Sequence, residues 1–421
     1  MDDSKRTEAR SNRTRRVLII VENLPVPFDR RVWRECMALR DAGYGVSVIA
    51  PRDTAQGEPA RETLNGVSIY RFRPFHSDGG FLSYLMEYAV AVLKSFWLTG
   101  TVLRREGFQI IQICNPPDLL VLAALPYKLL GKQIVFDQHD LCPEIYQSQK
   151  GLSEGEPNLV LAFLQLFERL TYRMSNAVLV VNESCRRVAC SRGGKAPEDV
   201  FVVRNGPTAE SIREVAPDPT LKKGQPFLLT YVGMMGPQEG IDVLLRAVRA
   251  LRESIGRDDF HVHIIGGGTV LDQMKQYAVG LGLDSVVTFA GRQDYEGVLR
   301  GIASADVCLC PDPKTPLSDK CSLVKSIEYM SLGKPFVAFD LEEVRLSAGD
   351  AALYARAGDE VQYAELIHQL LEDAGLREAM GQRGRRRVLD GLTWDHSTQS
   401  LYEAYDSLFA AMGGNPRGLV S

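Results

Sequence analysis

Short runs rich in β-branched residues alternate along this chain with stretches in which apolar residues recur every three or four positions. The first pattern is that of buried strands and the second that of amphipathic helices. Strands are predicted at 16–21, 45–50, 67–72, 110–114, 133–137, 177–181 and 200–203, then after a break at 227–232, 261–265, 286–289, 307–310, 336–339 and 352–354. Such alternation predicts an α/β class built from parallel, doubly wound sheets covered by helices. The break falls at Asn205-Gly206-Pro207, where "PTAESIREVAPDPTLKKGQP" loses the periodicity and gains proline and charge, as a linker does. The domain reading is a basic arm over 1–15, a first α/β domain over 16–206, a linker over 207–226 and a second such domain over 227–392. A helix over 393–412 follows, expected to cross back to the first domain. Ligands of open α/β sheets bind outside the carboxyl ends of the strands, so function is predicted in the strand-to-helix loops.

Composition narrows this reading. A chain of 421 residues is too long for one ordinary core. The net charge of -4, with both signs interspersed, argues against nucleic acid as a partner. The start gathers Arg10, Arg13, Arg15 and Arg16 with no apolar stretch, so it reads as a solvated arm or a weak anchor to anionic lipid, not a signal peptide. Eight cysteines without CxxC pairs or metal-ligand spacing suit a reduced, cytoplasmic protein. The most apolar run, "FLSYLMEYAVAVLKSFWL" over 81–98, is broken by Glu87 and Lys94. It is either a core helix or one lying in a membrane interface, with Tyr84, Tyr88, Phe96 and Trp97 at headgroup depth. The second reading makes the protein peripheral at the inner face of the cytoplasmic membrane.

Several loops could carry chemistry. "YVGMMGPQEGIDVLLRA" runs a strand through glycines into a helix, the shape of a phosphate loop, yet Met234, Met235 and Glu239 stand where a cation would meet the anion. Gly266-Gly267-Gly268 after "HVHII" would let backbone N–H groups approach an anion, though a plain tight turn also accounts for them. In "VCLCPDPKTPLSDKCSLVKSIEYMSLGKP" a helix is predicted from near Ser322 to Gly333, carrying Lys325 and, one turn on, Glu328. Its first turn could take a phosphate; an exposed Lys325–Glu328 salt bridge is the plainer alternative. In "NLPVPFDRR", Phe28, Asp29, Arg30 and Arg31 suit a phosphorylated or glycosylated acceptor, unless Asp29 caps the next helix and the arginines are solvated.

The order of "LTYVGMMGPQEGIDVLLRAV", "HIIGGG", "LGLDSVVTFAGR", "ADVCLCPDP" and "SIEYMSLGKPFVA" resembles the nucleotide-sugar domain of retaining glycosyltransferases of family 4, which have the GT-B fold of two Rossmann-like domains facing across a cleft. "VENLPVPFDRRVWRECMALRDAGYGVSVIAP", "CNPPD", "VFDQHDLCPEIY" and "VVRNGP" look like the acceptor-domain segments of a bacterial exopolysaccharide and O-antigen branch. The resemblance implies that Glu328 binds the ribose hydroxyls, that Gly291 and Arg292 line the base, and that Gly233, Gly266 and Gly268 line the nucleotide. It implies a place for His139 near the donor sugar, with Asp140 beside it on the acceptor side, and groups Arg204 and Asn205 with the donor site. Two departures stand out. The first glutamate of the family's pair is Lys320 here, and the arginine and lysine of the family's diphosphate clamp are Met234 and Glu239. Lys320 or Lys325, with the helix start near Ser322 and Arg204, is the expected replacement; alternatively Lys320 pairs with a carboxylate on the donor sugar.

The implied reaction is retaining transfer of a sugar from a UDP- or GDP-linked donor to a hydroxyl of a glycan or lipid-linked acceptor. No metal or other cofactor is expected, and no protein nucleophile. A sugar-nucleotide epimerase of the same fold, or a catalytically weak partner subunit, would share most of these features.

Overall fold

The computed structural model describes residues 15–53, 57–75, 81–152, 155–208 and 211–413. These divide into two compact units, the first running to Val203 and resuming at Ser397, the second spanning Arg204–His396. The basic arm lies outside the described residues except for its last member, Arg15.

The first unit contains β1 (Arg16–Ile20), α1 (Arg30–Asp41), β2 (Gly45–Pro51), β3 (Arg61–Leu64), β4 (Val67–Phe72), α2 (Phe81–Arg105), β5 (Ile110–Cys114), α3 (Val121–Lys128) and β6 (Gln133–Gln138). It continues with α4 (Cys142–Lys150), α5 (Leu159–Met174), β7 (Ala177–Val180), α6 (Glu183–Ser191) and β8 (Val200–Val202). Its sheet has the order β3-β4-β2-β1-β5-β6-β7-β8, parallel except for the β3–β4 pair. The central strands are buried on both faces, so their apolar runs are continuous and not alternating. Strand β3 has no predicted counterpart: "RETL" alternates exposed and half-buried positions at a sheet edge and offers no apolar signal. It is joined to β4 by Asn65-Gly66, both at positive φ (48° and 83°), the pairing a tight hairpin needs.

The second unit contains β9 (Phe227–Val232), α7 (Ile241–Glu253), β10 (Phe260–Ile265), α8 (Leu271–Gly280), β11 (Val287–Gly291), α9 (Tyr295–Ser304) and β12 (Val307–Cys310). After these come α10 (Val324–Ser331), β13 (Phe336–Phe339), α11 (Glu342–Ala348), β14 (Ala352–Ala355), α12 (Glu360–Glu372) and α13 (Ala374–Gly391). The all-parallel order is β11-β10-β9-β12-β13-β14. Alternate strand residues feed two cores. Leu229, Tyr231, Val262 and Phe339 belong to one, and Val232, Ile265, Cys308 and Phe336 to the other.

Residues read as a linker are laid on this second unit. The Asp218 amide donates to Ser304 Oγ at 2.7 Å and Lys222 pairs with Asp306 at 2.9 Å, so proline and charge here mark a surface strap. The last helix, α14 (Trp394–Ala411), starts with the Trp394 amide on the Pro207 carbonyl at 2.7 Å. From Ser397 it packs with the first unit, where Asp406 pairs with Arg15 at 2.8 Å and the Tyr405 hydroxyl donates to Gln112 Oε1.

Helix α2 is neither wholly core nor wholly surface. Ala91, Ser95, Thr99 and Val102 are buried, while Leu93 and Trp97 point to solvent. Phe96 is turned inward against the Tyr127 ring, which removes it from the proposed headgroup set, and Tyr84 lies outside the described side chains. Among the described residues no helix is long and apolar enough to cross a membrane.

Candidate active site

The strand order of the second unit reverses between β9 and β12, and the crevice beyond those two strand ends is where an open α/β sheet holds a ligand. Three loops close around it. The Gly233 amide donates to the Ile265 carbonyl (3.1 Å), the Met235 amide to Gly267 (3.0 Å) and the Gly266 amide to Gly291 (2.9 Å). A Cβ on Gly266 would stand 1.8 Å from the Gly233 carbonyl oxygen, at φ 139°, and one on Gly268 would stand 2.4 Å from that of Met235. These glycines are therefore required by the packing of loop on loop, whatever they do for an anion. Gly291, at φ 70°, has open space where its Cβ would be, and Arg292 beside it is exposed.

Helix α10 is anchored at this crevice by Tyr329. Its hydroxyl accepts from the Val232 amide (3.0 Å) and donates to the Leu309 carbonyl (3.1 Å), tying the helix to both β9 and β12. One position earlier, Glu328 is half-buried, burial raises its pKa, and no described residue bonds its carboxylate. An unpartnered carboxylate held partly out of water is poised for a hydroxyl-bearing ligand. The helix begins at Val324, two residues later than predicted, with Leu323 as an N-cap that supplies no side-chain acceptor. Ser322 therefore sits in the preceding loop.

Lys325 does not stand in for the missing clamp. Its ammonium is buried, bonds both oxygens of Asp312 (2.8 and 2.9 Å) and Glu239 Oε2 (3.1 Å), and lies 4.9 Å from the centre of the Tyr231 ring. Burial alone would lower its pKa, but Asp312, then Cys310, Tyr231 and Glu239, outweigh that and hold it well above the usual value. Two acids thus face one base, leaving no positive charge for a ligand. The anomalous Glu239 is explained by the same contact, as half of a partly buried ion pair. Arg204 is likewise committed, to the buried Glu343 at 3.1 Å, while Asn205 is exposed. Lys320 is half-buried, its ammonium donating to the Pro316 carbonyl at 3.4 Å.

In the first unit the order reverses between β1 and β5. Asp29 is the N-cap of α1, its Oδ1 accepting from the amides of Arg31 and Val32 at 3.1 Å each. Arg31 is buried, donating to Asp137 Oδ1 (2.6 Å) and the Val203 carbonyl (2.6 Å) and lying 3.2 Å from Glu35. Neither residue faces an acceptor, a correction to the sequence reading. Phe28 and Arg30 stay exposed. Asn115 shapes the turn after β6: its Oδ1 accepts from the amides of His139 (2.7 Å) and Asp140 (3.2 Å), and its Nδ2 donates to Asp118 (2.9 Å). His139 Nε2 then meets Asp137 Oδ2 at 2.7 Å, leaving Nδ1 without a partner among the described residues.

Asp137 organises a buried network that the sequence reading missed. Gln112 Nε2 donates to it (3.0 Å) and to Glu35 (2.6 Å). Burial opposes ionisation of Asp137, yet Arg31 and His139 overcome it and hold the acid well below the usual range. Glu35 goes the other way. Burial, then the Asp137 charge, pushes it well above the usual carboxylate value despite Arg31. Asp137 Oδ2 accepts the Nε2–H of His139, so Nδ1 is the face offered to a ligand. Asp140 is raised by burial, and Glu22, in the loop after β1, is raised to about 7 by burial and then by Glu87. Polar spacing alone carried no signal for Glu22.

Cys114, Asp137 and His139 bring ligand-type atoms within 4.8 Å of one another. They do not suit a cation. Arg31 already occupies one Asp137 oxygen, His139 and Gln112 occupy the other, and burial, then Asp137, pushes the Cys114 thiol up, against the thiolate a metal needs.

Residues 226–373 match the family model described as glycosyl transferases group 1, and residues 29–210 match that described as glycosyltransferase family 4. An uncharacterized glycosyltransferase of Methanocaldococcus jannaschii is 22% identical over 379 residues, 84% of this chain and 88% of its own. Several other curated glycosyltransferases are matched over less than half of their own length. Among solved structures, sucrose-phosphate synthase from Thermosynechococcus elongatus is similar at TM-score 0.72 and 18% identity, covering 94% of this chain and 100% of that one. Anabaena HepE in complex with UDP is similar at TM-score 0.68 and 15% identity, covering 93% of this chain and 100% of that one. One matched segment covers most of the first unit and the other most of the second: the chain is a glycosyltransferase enzyme of the GT-B fold.

Proposed function

We propose that the protein transfers a sugar, with retention of configuration, from a nucleoside-diphosphate sugar to a hydroxyl of a lipid-linked saccharide at a membrane surface, in the building of a bacterial cell-surface polysaccharide. The observation that carries the donor reading is Glu328, a partly buried carboxylate without a partner among the described residues, at the reversal point of the second sheet. Its two oxygens suit the vicinal diol of a ribose. A solved neighbour binds UDP, which favours a uridine donor. Gly291, with open space on its Cβ side, and exposed Arg292 are the base-side groups in this reading.

In this reading charge on the leaving diphosphate is met by the first turn of α10, with Lys320 in the loop ahead of it; Lys325 is held by Asp312 and Glu239, and Arg204 by Glu343. His139 offers Nδ1 to a substrate hydroxyl, and Phe28 with Arg30 forms the acceptor-side surface. No metal and no protein nucleophile enters this scheme. The test is thermal shift with UDP and GDP, then turnover of UDP sugars on lipid-linked acceptors, with the anomer of the product read by NMR. Inversion would refute the retaining mechanism. Interconversion of nucleotide sugars without an acceptor would identify an epimerase, and no transfer or hydrolysis with any donor would leave a partner subunit.

A further inference from the structure

Three helices of the first unit, α2, α3 and α5, lie side by side on one face of its sheet. The Phe96 and Tyr127 rings join α2 to α3 at 5.9 Å, and the Tyr127 hydroxyl donates to the Phe96 carbonyl at 3.0 Å. Lys128 at the end of α3 donates to the Met174 carbonyl at the end of α5. Their inner sides are part of the core. Their outer sides are apolar where solvent exposure would favour polar residues. Leu93 and Trp97 stand one turn apart on α2, Leu129 and Leu130 occupy the turn after α3, and Leu159 and Leu166 stand two turns apart on α5. Trp97 is 70% exposed, Leu129 86% and Leu159 91%. Scattered single apolar residues need no explanation, but six on three adjoining helices form a surface.

The charges on that surface are predominantly of one sign. Every exposed charged side chain on the described parts of the three helices is an arginine: Arg104 and Arg105 close α2, and Arg169 and Arg173 lie in the second half of α5. Two of the acids nearby are withdrawn, while Glu156, just ahead of α5, is exposed and Glu87 on α2 is half-buried. Glu168 is buried against Arg192, and Glu106 bonds Arg61 and Tyr70. An apolar band bordered by guanidinium groups is complementary to an anionic bilayer, where leucine and tryptophan enter the acyl boundary and arginine meets the lipid phosphates. We propose that this three-helix face docks the first unit on anionic lipid. The proposal deepens the lipid-linked acceptor reading, on which its purpose rests, but it makes a claim about binding that needs no turnover.

The experiment uses the full chain with vesicles of phosphatidylcholine alone or with about one-third phosphatidylglycerol. Trp97 is the reporter, because Trp394 is buried and Trp33 half-buried. Sedimentation with anionic vesicles, little with neutral ones, a blue shift of emission and quenching by brominated acyl chains are expected. The triple variant Trp97→Gln/Leu129→Ser/Leu166→Ser, all at exposed sites, should weaken vesicle partitioning at least about tenfold while leaving its melting temperature and any UDP-induced shift as in the wild type. Arg169→Gln/Arg173→Gln should weaken binding to anionic vesicles and flatten its salt dependence. Unchanged binding by the triple variant would overturn the proposal and assign the affinity elsewhere, for instance to the basic arm. Self-association without lipid that the triple variant abolishes would overturn it in favour of a second copy of the chain. A missing UDP shift in all proteins alongside normal vesicle binding would count against the donor reading and leave this one standing.

Discussion

Substitution of Asp137 by asparagine should be among the most costly single changes in the first unit. The residue is wholly buried, with Arg31 at 2.6 Å, His139 at 2.7 Å and Gln112 at 3.0 Å. Asparagine keeps the shape, so no cavity opens; the cost is a buried guanidinium left without its counter-ion. Breaking such a pair by removing one partner costs about 3–5 kcal/mol. Glu35, 3.2 Å from Arg31, can ionise once the Asp137 charge is gone, so the lower end, about 3 kcal/mol, is expected. For a unit of this size that is a fall of roughly 6–12 °C in its melting temperature. Glu35→Gln is the contrast. Burial and the Asp137 charge favour its protonated form, so the amide keeps the neutral hydrogen-bonding role and should cost under about 1 kcal/mol near neutral pH. The signs with pH also differ. Asp137, depressed in the fold, contributes stability above its unfolded pKa of about 3.9 and loses it only as pH falls towards the lower folded value. The gap between wild type and Asp137→Asn should therefore narrow below about pH 4. Glu35, raised in the fold, favours the folded state below about pH 4.3 and loses that benefit as pH rises through its folded pKa, so Glu35→Gln gains relative to wild type at high pH. Thermal melts across pH 3 to 9 measure all of this, and ¹⁵N NMR should find His139 as the Nε2–H tautomer, altered by Asp137→Asn. Equal losses from the two substitutions, or a larger loss from Glu35→Gln, would refute the assignment of charge in this network.

Three further substitutions test the other groups. Glu328→Gln should weaken UDP binding by about 1.5 kcal/mol, near tenfold by calorimetry, without lowering the melting temperature, because no protein bond is lost. Lys325→Met should destabilise the second unit by about 3–5 kcal/mol by leaving Asp312 and Glu239 facing each other, and adding Asp312→Asn should return part of the loss in a double-mutant cycle. Glu22, raised to about 7, favours the folded state fully below about pH 4.5 and loses that contribution as pH rises through 7. Glu22→Gln should therefore leave the melt unchanged near pH 4.5 and raise stability at pH 8 by about 1–3 kcal/mol.

Much of the fold could be read from the chain because both sheets are buried on two faces. Continuous apolar runs such as "RVLII" and "FLLTYV" have no other soluble use, and their bounds fell within one or two residues of the strands. β3 escaped because an edge strand facing water needs no apolar residue, although Asn65-Gly66 announces its hairpin. The loops were legible where backbone shape demands a residue type, as at Gly266 and Gly268, and so was the end of the helix that carries Glu328, marked by glycine and proline. The site was illegible where charge is concerned. "NLPVPFDRR" shows two arginines and an acid, but only the fold reveals that Asp29 is bound to amides, that Arg31 is turned onto Asp137, and that Arg30 alone stays outside. Pairing across about a hundred residues leaves no local trace.

The loop that joins β9 to α7 carries this difference between sequence and structure furthest. The family resemblance expects two cations in it, where Met234 and Glu239 stand, and the two positions are not equivalent. Met234 is 64% exposed, whereas Glu239 is one of two acids holding Lys325. A base restored at 239 would bring a second ammonium to within hydrogen-bonding range of the first and release only Asp312 to balance both, so Glu239→Lys should destabilise the unit. A base restored at 234 meets no such cost. Met234→Arg should melt with the wild type and bind UDP more tightly by about 0.5–1.5 kcal/mol, a gain that shrinks as salt is raised because the contact is exposed. Calorimetry with UDP at low and high salt separates the cases. If Glu239→Lys were tolerated and Met234→Arg gained nothing, the diphosphate would not lie over this loop, and the acid at 239 would need another explanation than its partner at 325.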